Sequence, residues 1–357
     1  MERQQLRKIL TADIPNLEDK ELWIWGTGGT AGLYQEGLSR IALGSKIAGY
    51  CDNNKEKWGK QFCGKPIISP EELKVRDNAC ALICSLQPGV SAEIMDGLTR
   101  QGIKGYTIDE VIFKTYFEEV LKCYDLLYDE CSKDIYAELV ASRMKGKHPD
   151  AHIYSDNSYF IHQRIAAKDI GKTFIDCGAY VGDTIERYIW QTDGVVDRIV
   201  GIEPDTENFK ALLKRKERLC EEWNIADQKM MMVCAGVGDK TETRRILSIN
   251  DGLGSQFADG NGEGTEQKII ALDDLLTEPY SFLKADIESF EYKMLLGAEK
   301  GIKRWKPDIA VCIYHNAIDF FSVAQLIHSI MPEYKFAVRH HSYGLLETVL
   351  YAWCQTV

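Results

Sequence analysis

Twice along this chain, short apolar runs that end in polar or glycine-rich turns alternate with helical segments, and this repeated alternation is what most constrains the fold. In the first series, Glu21-Leu22-Trp23-Ile24-Trp25 is an apolar strand, followed by Gly26-Thr27-Gly28-Gly29-Thr30-Ala31-Gly32 and a helical run to about Ile41. A second strand at 46–51 ends in Asp52-Asn53-Asn54, which completes a βαβ opening. Further strands fall at 79–85 and 102–107, with helices starting near Pro88 and at Asp109. The second series begins at 173–176 and continues with strands at 198–203, 229–235, 282–287, 308–314, 335–339 and 348–353. Its helices fall at 184–190, 207–223, 292–301 and 318–330. Apolar strands alternating with helices imply parallel sheets covered on both faces. The last two strands are joined by a short turn at 339–347, which makes one of them antiparallel. The expected class is α/β, with two doubly wound Rossmann-like domains, the second built on seven strands.

Between the series, Phe113, Phe117, Val120, Leu121, Leu127, Ile135, Leu139 and Val140 recur at helical spacing until Lys145-Gly146-Lys147-His148-Pro149-Asp150 breaks the pattern. The expected organisation is a Rossmann-like module at 1–110, a helical connector at 111–150 and a second domain at 151–357. The Gly- and Asp-rich stretch 249–267 reads as a loop, with 252–264 placed to act as a lid. A net charge of -11, from 43 basic and 54 acidic residues, argues against a nucleic-acid partner. No apolar run reaches the roughly 20 residues that span a bilayer, and no signal-peptide core follows Met1. A cytoplasmic protein without a membrane span is expected. Most of the eleven cysteines lie in apolar runs and none form a C-x-x-C pair, so they read as reduced core residues.

In the second half, Asp176-Cys177-Gly178-Ala179-Tyr180-Val181-Gly182-Asp183-Thr184 links a buried strand to a helix. Glycines there let backbone approach a ligand, and the helix start offers free N–H groups. The next strand ends in Glu203-Pro204, where an acid can accept both hydroxyls of a ribose. A tight structural turn and a helix-capping acid are the alternative readings. The fourth strand ends in Lys284-Ala285-Asp286-Ile287-Glu288-Ser289-Phe290-Glu291, which brings two carboxylates to the opening of the sheet.

Together with Leu272-Asp273-Asp274-Leu275-Leu276, Tyr314-His315, Arg339-His340-His341-Ser342 and the segment from Glu347 to Ala352, these motifs resemble the FkbM family of S-adenosylmethionine-dependent O-methyltransferases. The resemblance spans about 125–353; Ser289 departs from it, standing where relatives commonly have Gly. It implies a class I methyltransferase sheet with an antiparallel last strand. Asp176, Gly178, Tyr180, Gly182, Asp183 and Thr184 would hold the methionine part of the cofactor, Glu203 its ribose, and Ala235 and Gly236 would lie near the adenine. Asp286 would sit beside the sulfonium and the incoming hydroxyl. Methyl transfer is an in-line displacement that needs an oriented, assisted hydroxyl. His315 is the first candidate for the base, while Glu288, Asn316, Arg339, His340 and His341 are candidates for the acceptor side. The competing arrangement is a divalent metal on Asp286, Glu288, His315 and Asn316. The expected acceptor is a sugar or glycan precursor.

In the first half, Gly26, Gly28, Gly29 and Gly32 after a strand, with Asp52 about 26 residues later, fit a dinucleotide-type turn. With Gly49-Tyr50-Cys51-Asp52-Asn53 and Gly64-Lys65-Pro66-Ile67, the module resembles the small Rossmann-like units of sugar-nucleotide enzymes. That implies a nucleotide-sugar site, and a vestigial, purely structural domain is the alternative reading. The alternative function is accordingly a nucleotide-sugar-binding or NAD-dependent sugar-modifying protein that uses the second half as a scaffold. No Tyr-x-x-x-Lys pair follows to supply its acid and base.

Overall fold

The computed structural model describes residues 1–160, 173–248, 255–257 and 265–354. The first half contains β1 (Glu21–Trp25), β2 (Ile47–Cys51), β3 (Gln61–Phe62), β4 (Lys65–Ile68), β5 (Ala79–Ile83) and β6 (Gly105–Thr107). They form one sheet in the order β3-β4-β2-β1-β5-β6, parallel except for β3. Leu22 to Trp25 of the central strand are all buried, as a strand covered by helices on both faces requires.

The second half contains β7 (Thr173–Cys177), β8 (Arg198–Ile202), β9 (Met230–Val233), β10 (Gly236–Val237), β11 (Glu242–Ser248), β12 (Ser255–Phe257), β13 (Thr265–Ile270), β14 (Phe282–Ala285), β15 (Asp308–Cys312), β16 (Tyr334–His340) and β17 (Thr348–Cys354). Its main sheet runs β16-β17-β15-β14-β7-β8-β9, with β17 antiparallel to both neighbours. Strand order reverses at β7 and β14, and this is where an open α/β sheet leaves a crevice beyond the strand ends. The doubly wound, seven-stranded expectation is met.

Three local expectations are revised. The helix expected at 292–301 is two helices, Glu291–Leu296 and Glu299–Trp305. The chain bends at Gly297, where a Cβ would stand 2.0 Å from the Gly238 carbonyl oxygen, so the close approach requires glycine. The strand expected at 229–235 ends at Val233, and β10 leaves it for a second sheet, β10-β13-β11-β12. Part of the expected loop at 249–267 is therefore strand, in β12 and β13; the rest of it, and most of the lid at 252–264, lies outside the described residues.

One buried apolar cluster runs through both halves, from Leu6 through Ile24, Phe113 and Leu139 to Leu283 and Phe320. The helices between 108 and 145 fill the space between the sheets. Thr107 and Asp129 cap two of them, accepting from the backbone N–H of Glu110 and Ser132 at 3.1 and 2.7 Å. Arg143 crosses from this layer to the second sheet: its guanidinium donates to Asp109 at 2.8 Å, to the Tyr34 hydroxyl at 3.1 Å and to the Tyr314 carbonyl at 2.7 Å.

Candidate active site

The site is built where β7, β8, β14 and β15 end. Register places Lys284 of β14 directly beside Asp176 of β7. Both side chains are buried, their charges are 2.9 Å apart, and the Lys284 ammonium also donates to the Gly178 carbonyl at 2.9 Å. Burial pushes the Asp176 carboxyl up to about 6 against the pull of Lys284. Asp176, expected to touch the cofactor, is fully buried against Lys284. It holds the lysine that holds the glycine loop.

Gly178 has φ +76, and a Cβ there would stand 1.9 Å from the Asp286 carbonyl oxygen. The loop and the end of β14 can meet only at a glycine. Gly182, at φ +85, starts the helix Asp183–Gln191, which places Asp183 and the buried Thr184 in its first turn. Glu203, at the end of β8, accepts from the backbone N–H of Tyr180 and of Asp205, each at 2.9 Å, through different oxygens. Burial raises its pKa, and the two backbone donors pull against the rise. Both oxygens keep capacity for a further donor. Ala235 and Gly236 are buried beside this edge.

At the end of β14, Asp286 accepts from Tyr159 at 2.9 Å and from Tyr314 at 3.1 Å. His315 lies with Nε2 3.3 Å from Asp286 and 3.7 Å from Glu288, and with Nδ1 3.1 Å from Glu291. These are ion-pair contacts rather than well-aligned hydrogen bonds. Burial opposes charge on both His315 and Asp286, but mutual attraction wins. With Glu291 first among its neighbours, His315 is held well above the ordinary histidine range, and His315, Lys284 and Tyr159 hold Asp286 below the usual carboxylate range. About a quarter of the Asp286 side chain is open to solvent. Glu288 and Glu347, both raised by burial, complete the wall.

Asp286, Glu288 and His315 therefore come together as the motifs suggested, whereas Asn316 does not join them. Its amide nitrogen donates to Ser289 at 3.1 Å and to Asp319 at 2.6 Å, and its oxygen accepts from the backbone of Ile318 and Asp319. A four-ligand metal set would have to take the Asn316 oxygen from the two backbone groups it accepts from. Among the described residues, Asp286, Glu291 and His315 are near enough to share an ion. Arg339, His340 and His341 spend their side chains on other partners. Arg339 donates to Ser132 at 2.7 Å on the connecting helix. His340 is buried between Thr348 and Gly344, 2.9 and 3.0 Å away, and burial lowers it to about 4. His341 packs its ring nitrogens against the Ser155 carbonyl and the Tyr351 hydroxyl. These side chains hold the β16–β17 turn and its neighbours.

In the first half, Gly26 takes φ +95 and the helix Gly29–Ser39 starts after Gly28. Asp52 does not face an open crevice unpaired. One oxygen accepts from the backbone and the hydroxyl of Thr27 at 3.0 and 2.5 Å and lies 3.4 Å from the Lys57 ammonium, while the other accepts from Asn54.

Residues 176–338 match the family model described as the methyltransferase FkbM domain. Over that stretch the chain carries an FkbM methyltransferase domain. That family indicates a methyl-transferring enzyme. Over nearly its whole length the chain is similar in structure to the methyltransferase FkbM from Methylobacillus flagellatus, with a TM-score of 0.58, 20% identity and 98% of each chain covered. At that identity the likeness concerns the fold. An rRNA methylase from Streptococcus thermophilus gives a TM-score of 0.35 at 12% identity, covering 56% of this chain and 100% of its own. SAH-bound PaMTH1, a methyltransferase from Podospora anserina, gives 0.32 at 11%, covering 68% and 96%. No curated protein matches the chain. No helix among the described residues is long and apolar enough to cross a membrane.

Three residues at the site carry no assigned role in the motifs: Lys284, Glu291 and Glu347. The first two are the ends of the Lys284–Glu291 run, and Glu347 opens the segment that ends at Ala352. A lysine in the middle of an apolar strand is itself a signal, because a buried ammonium needs an anion beside it.

Proposed function

We propose that this protein is an S-adenosylmethionine-dependent O-methyltransferase acting on a hydroxyl of a sugar or glycan precursor. The observation that carries the reading is Asp286, held ionised and partly open at the sheet's switch point, next to a loop that Gly178 and Glu203 fix in place. An anion in a largely buried crevice is complementary to a sulfonium cation, and Glu203 retains acceptor capacity for ribose hydroxyls. S-adenosylmethionine, when bound, supplies an electrophilic methyl group. Gly178, Gly182 and the helix start at Asp183–Thr184 would lie along it, with Ala235 and Gly236 on the adenine side. An acceptor side of carboxylates and phenols, from Glu288, Glu347, Tyr159 and Tyr314, suits a polyhydroxylated molecule.

His315, expected as the base, keeps its own proton at neutral pH among its three acids. We assign it to stabilise charge developing on the acceptor oxygen, and Glu288, raised by burial and 38% exposed in its side chain, to take the proton. The rate should then rise along an acid limb above the ordinary Glu value of 4.5 and fall only above 6.5. Glu288→Gln should lower turnover by about 10²- to 10⁴-fold. A rate that rises only through an alkaline His315 titration would return the base role to histidine.

Calorimetry with S-adenosylhomocysteine tests the cofactor. Binding should survive Asp52→Ala and weaken about a hundredfold in Glu203→Ala, which corresponds to about 2.7 kcal/mol. Absence of binding to the unmodified protein would overturn the reading. Label transfer from methyl-labelled cofactor to a panel of nucleotide sugars and free sugars tests the acceptor class.

A further inference from the structure

The helix Gly29–Ser39 of the first half lies against the turns that follow β14 and β15. Gly37 sits inside it, where glycine costs about 1 kcal/mol relative to alanine. A Cβ there would stand 2.7 Å from Asn316 Oδ1 and 2.9 Å from Ile318 Cδ1, so glycine lets the helix approach. Just past its end, the Arg40 guanidinium donates to Asp319 Oδ1 at 2.5 Å and to Ser322 Oγ at 2.8 Å, and lies 4.3 Å from the centre of the Tyr292 ring. One turn earlier, Glu36 pairs with Lys293 at 2.7 Å.

Tyr292 directly follows Glu291, and Asn316 directly follows His315. Asp319 is fully buried, and its second oxygen accepts from the Asn316 amide, which also donates to Ser289 in the β14 turn. One planar side chain therefore joins the segment that carries Asp286, Glu288 and Glu291 to the segment that carries His315. A buried carboxylate deprived of its cation must take a proton or move toward water, and either change disturbs its bond to Asn316.

We propose that Arg40 is a positioning residue for methyl transfer, assembling the Glu291–His315 pair through docking of the first half. The role rests on the methyltransferase reading above. The test uses the full chain and hydrogen–deuterium exchange, with and without S-adenosylhomocysteine. Arg40→Ala should speed exchange at least tenfold in 286–292 and 314–319 and change it less than twofold in 176–184 and 198–203. Affinity for S-adenosylhomocysteine should stay within twofold. Arg40→Lys should recover part of the protection, and adding Asp319→Asn to Arg40→Ala should change nothing further. With any acceptor that the sugar panel yields, kcat should fall at least tenfold at an unchanged KM for the cofactor, with partial rescue by lysine. Unchanged exchange in the two segments, an equal rise everywhere, or an unchanged kcat would overturn the proposal. If the unmodified protein fails to bind S-adenosylhomocysteine, the cofactor reading falls, and the exchange comparison on ligand-free protein still decides the role of Arg40.

Discussion

The two glycine loops of this chain look alike in sequence and are finished differently. Each follows a buried strand, opens a helix, and is answered by an acid at the end of the next strand, Asp52 in one half and Glu203 in the other. In the first loop the acid turns inward. Burial alone would raise Asp52, but Thr27, Asn54 and Lys57 outweigh it and lower its pKa. In the second loop Glu203 receives two backbone donors, and its pKa is raised, by burial first. The cation of the second loop, Lys284, is committed to Asp176 instead, beneath the glycines. One oxygen of Asp52 is taken up by the threonine and lysine of its own loop, whereas each oxygen of Glu203 accepts one backbone N–H. The same pattern of letters thus yields a self-satisfied turn and a candidate binding site.

The sharpest way to break this comparison is to add one methyl group to each loop. In Gly178→Ala the Cβ would meet the Asp286 carbonyl oxygen at 1.9 Å, at a φ of +76. The loop and the β14 turn must part, so stability should fall by about 3 kcal/mol or more and S-adenosylhomocysteine binding should disappear. Gly28 has φ -86 and nothing within 4 Å of a Cβ, so Gly28→Ala should change stability by less than about 1 kcal/mol. Urea unfolding of the two variants reads the difference. Equal costs would mean that the second loop is not braced against β14.

The lysines come next. Lys284→Met removes the partner of a fully buried carboxylate and should cost about 3–5 kcal/mol. The Lys57 side chain is 40% exposed, and its variant should lose less than about 1 kcal/mol. The Lys284→Met loss should also shrink on acidification. Asp176 is raised to about 6 even with its lysine, so its ionised form is disfavoured by folding from the unfolded value of 3.8 upward. In the folded chain the carboxyl is neutral below about 6, and there it needs a cation less. A Lys284→Met deficit that is the same at pH 4 and pH 7 would show that Asp176 is not the group responsible.

How much of this was legible from the letters follows from how local each feature is. The order of strands, the glycine loops and the strand-end acids are set within a few residues of one another, and Asp286, Glu288 and His315 do meet. The partnership of Lys284 with Asp176 depends on register between strands about a hundred residues apart, and Arg40 reaches Asp319 from the other half of the chain. No periodicity encodes either. Arg339, His340 and His341 misled because a polar run at a strand end looks the same whether its side chains face the crevice or, as here, tie down the turn beside it. The split of the 292–301 helix depends on Gly238, a residue of a different sheet edge.

The smallest effect tests the backbone rather than the charges. Ser289, at φ +75, follows Glu288, at φ +54, so two side-chain-bearing residues in succession occupy the left-handed region. Ser289→Gly relieves strain of about 1 kcal/mol and removes the hydroxyl that accepts from Asn316, a bond with a net worth of about 1 kcal/mol. The two terms oppose, and the variant should unfold within about 1 kcal/mol of the original. Ser289→Ala loses the bond and keeps the strain, so it should be less stable than the glycine variant by about 1 kcal/mol. The first loop offers the mirror experiment. Gly26 already carries the required residue at φ +95 with nothing within 4 Å, so Gly26→Ala should lose at least as much as Ser289→Gly recovers from its backbone. Equal stability of the glycine and alanine variants at 289 would remove strain from the β14 turn. The hydrogen bond from Asn316 would then be the whole of what Ser289 contributes.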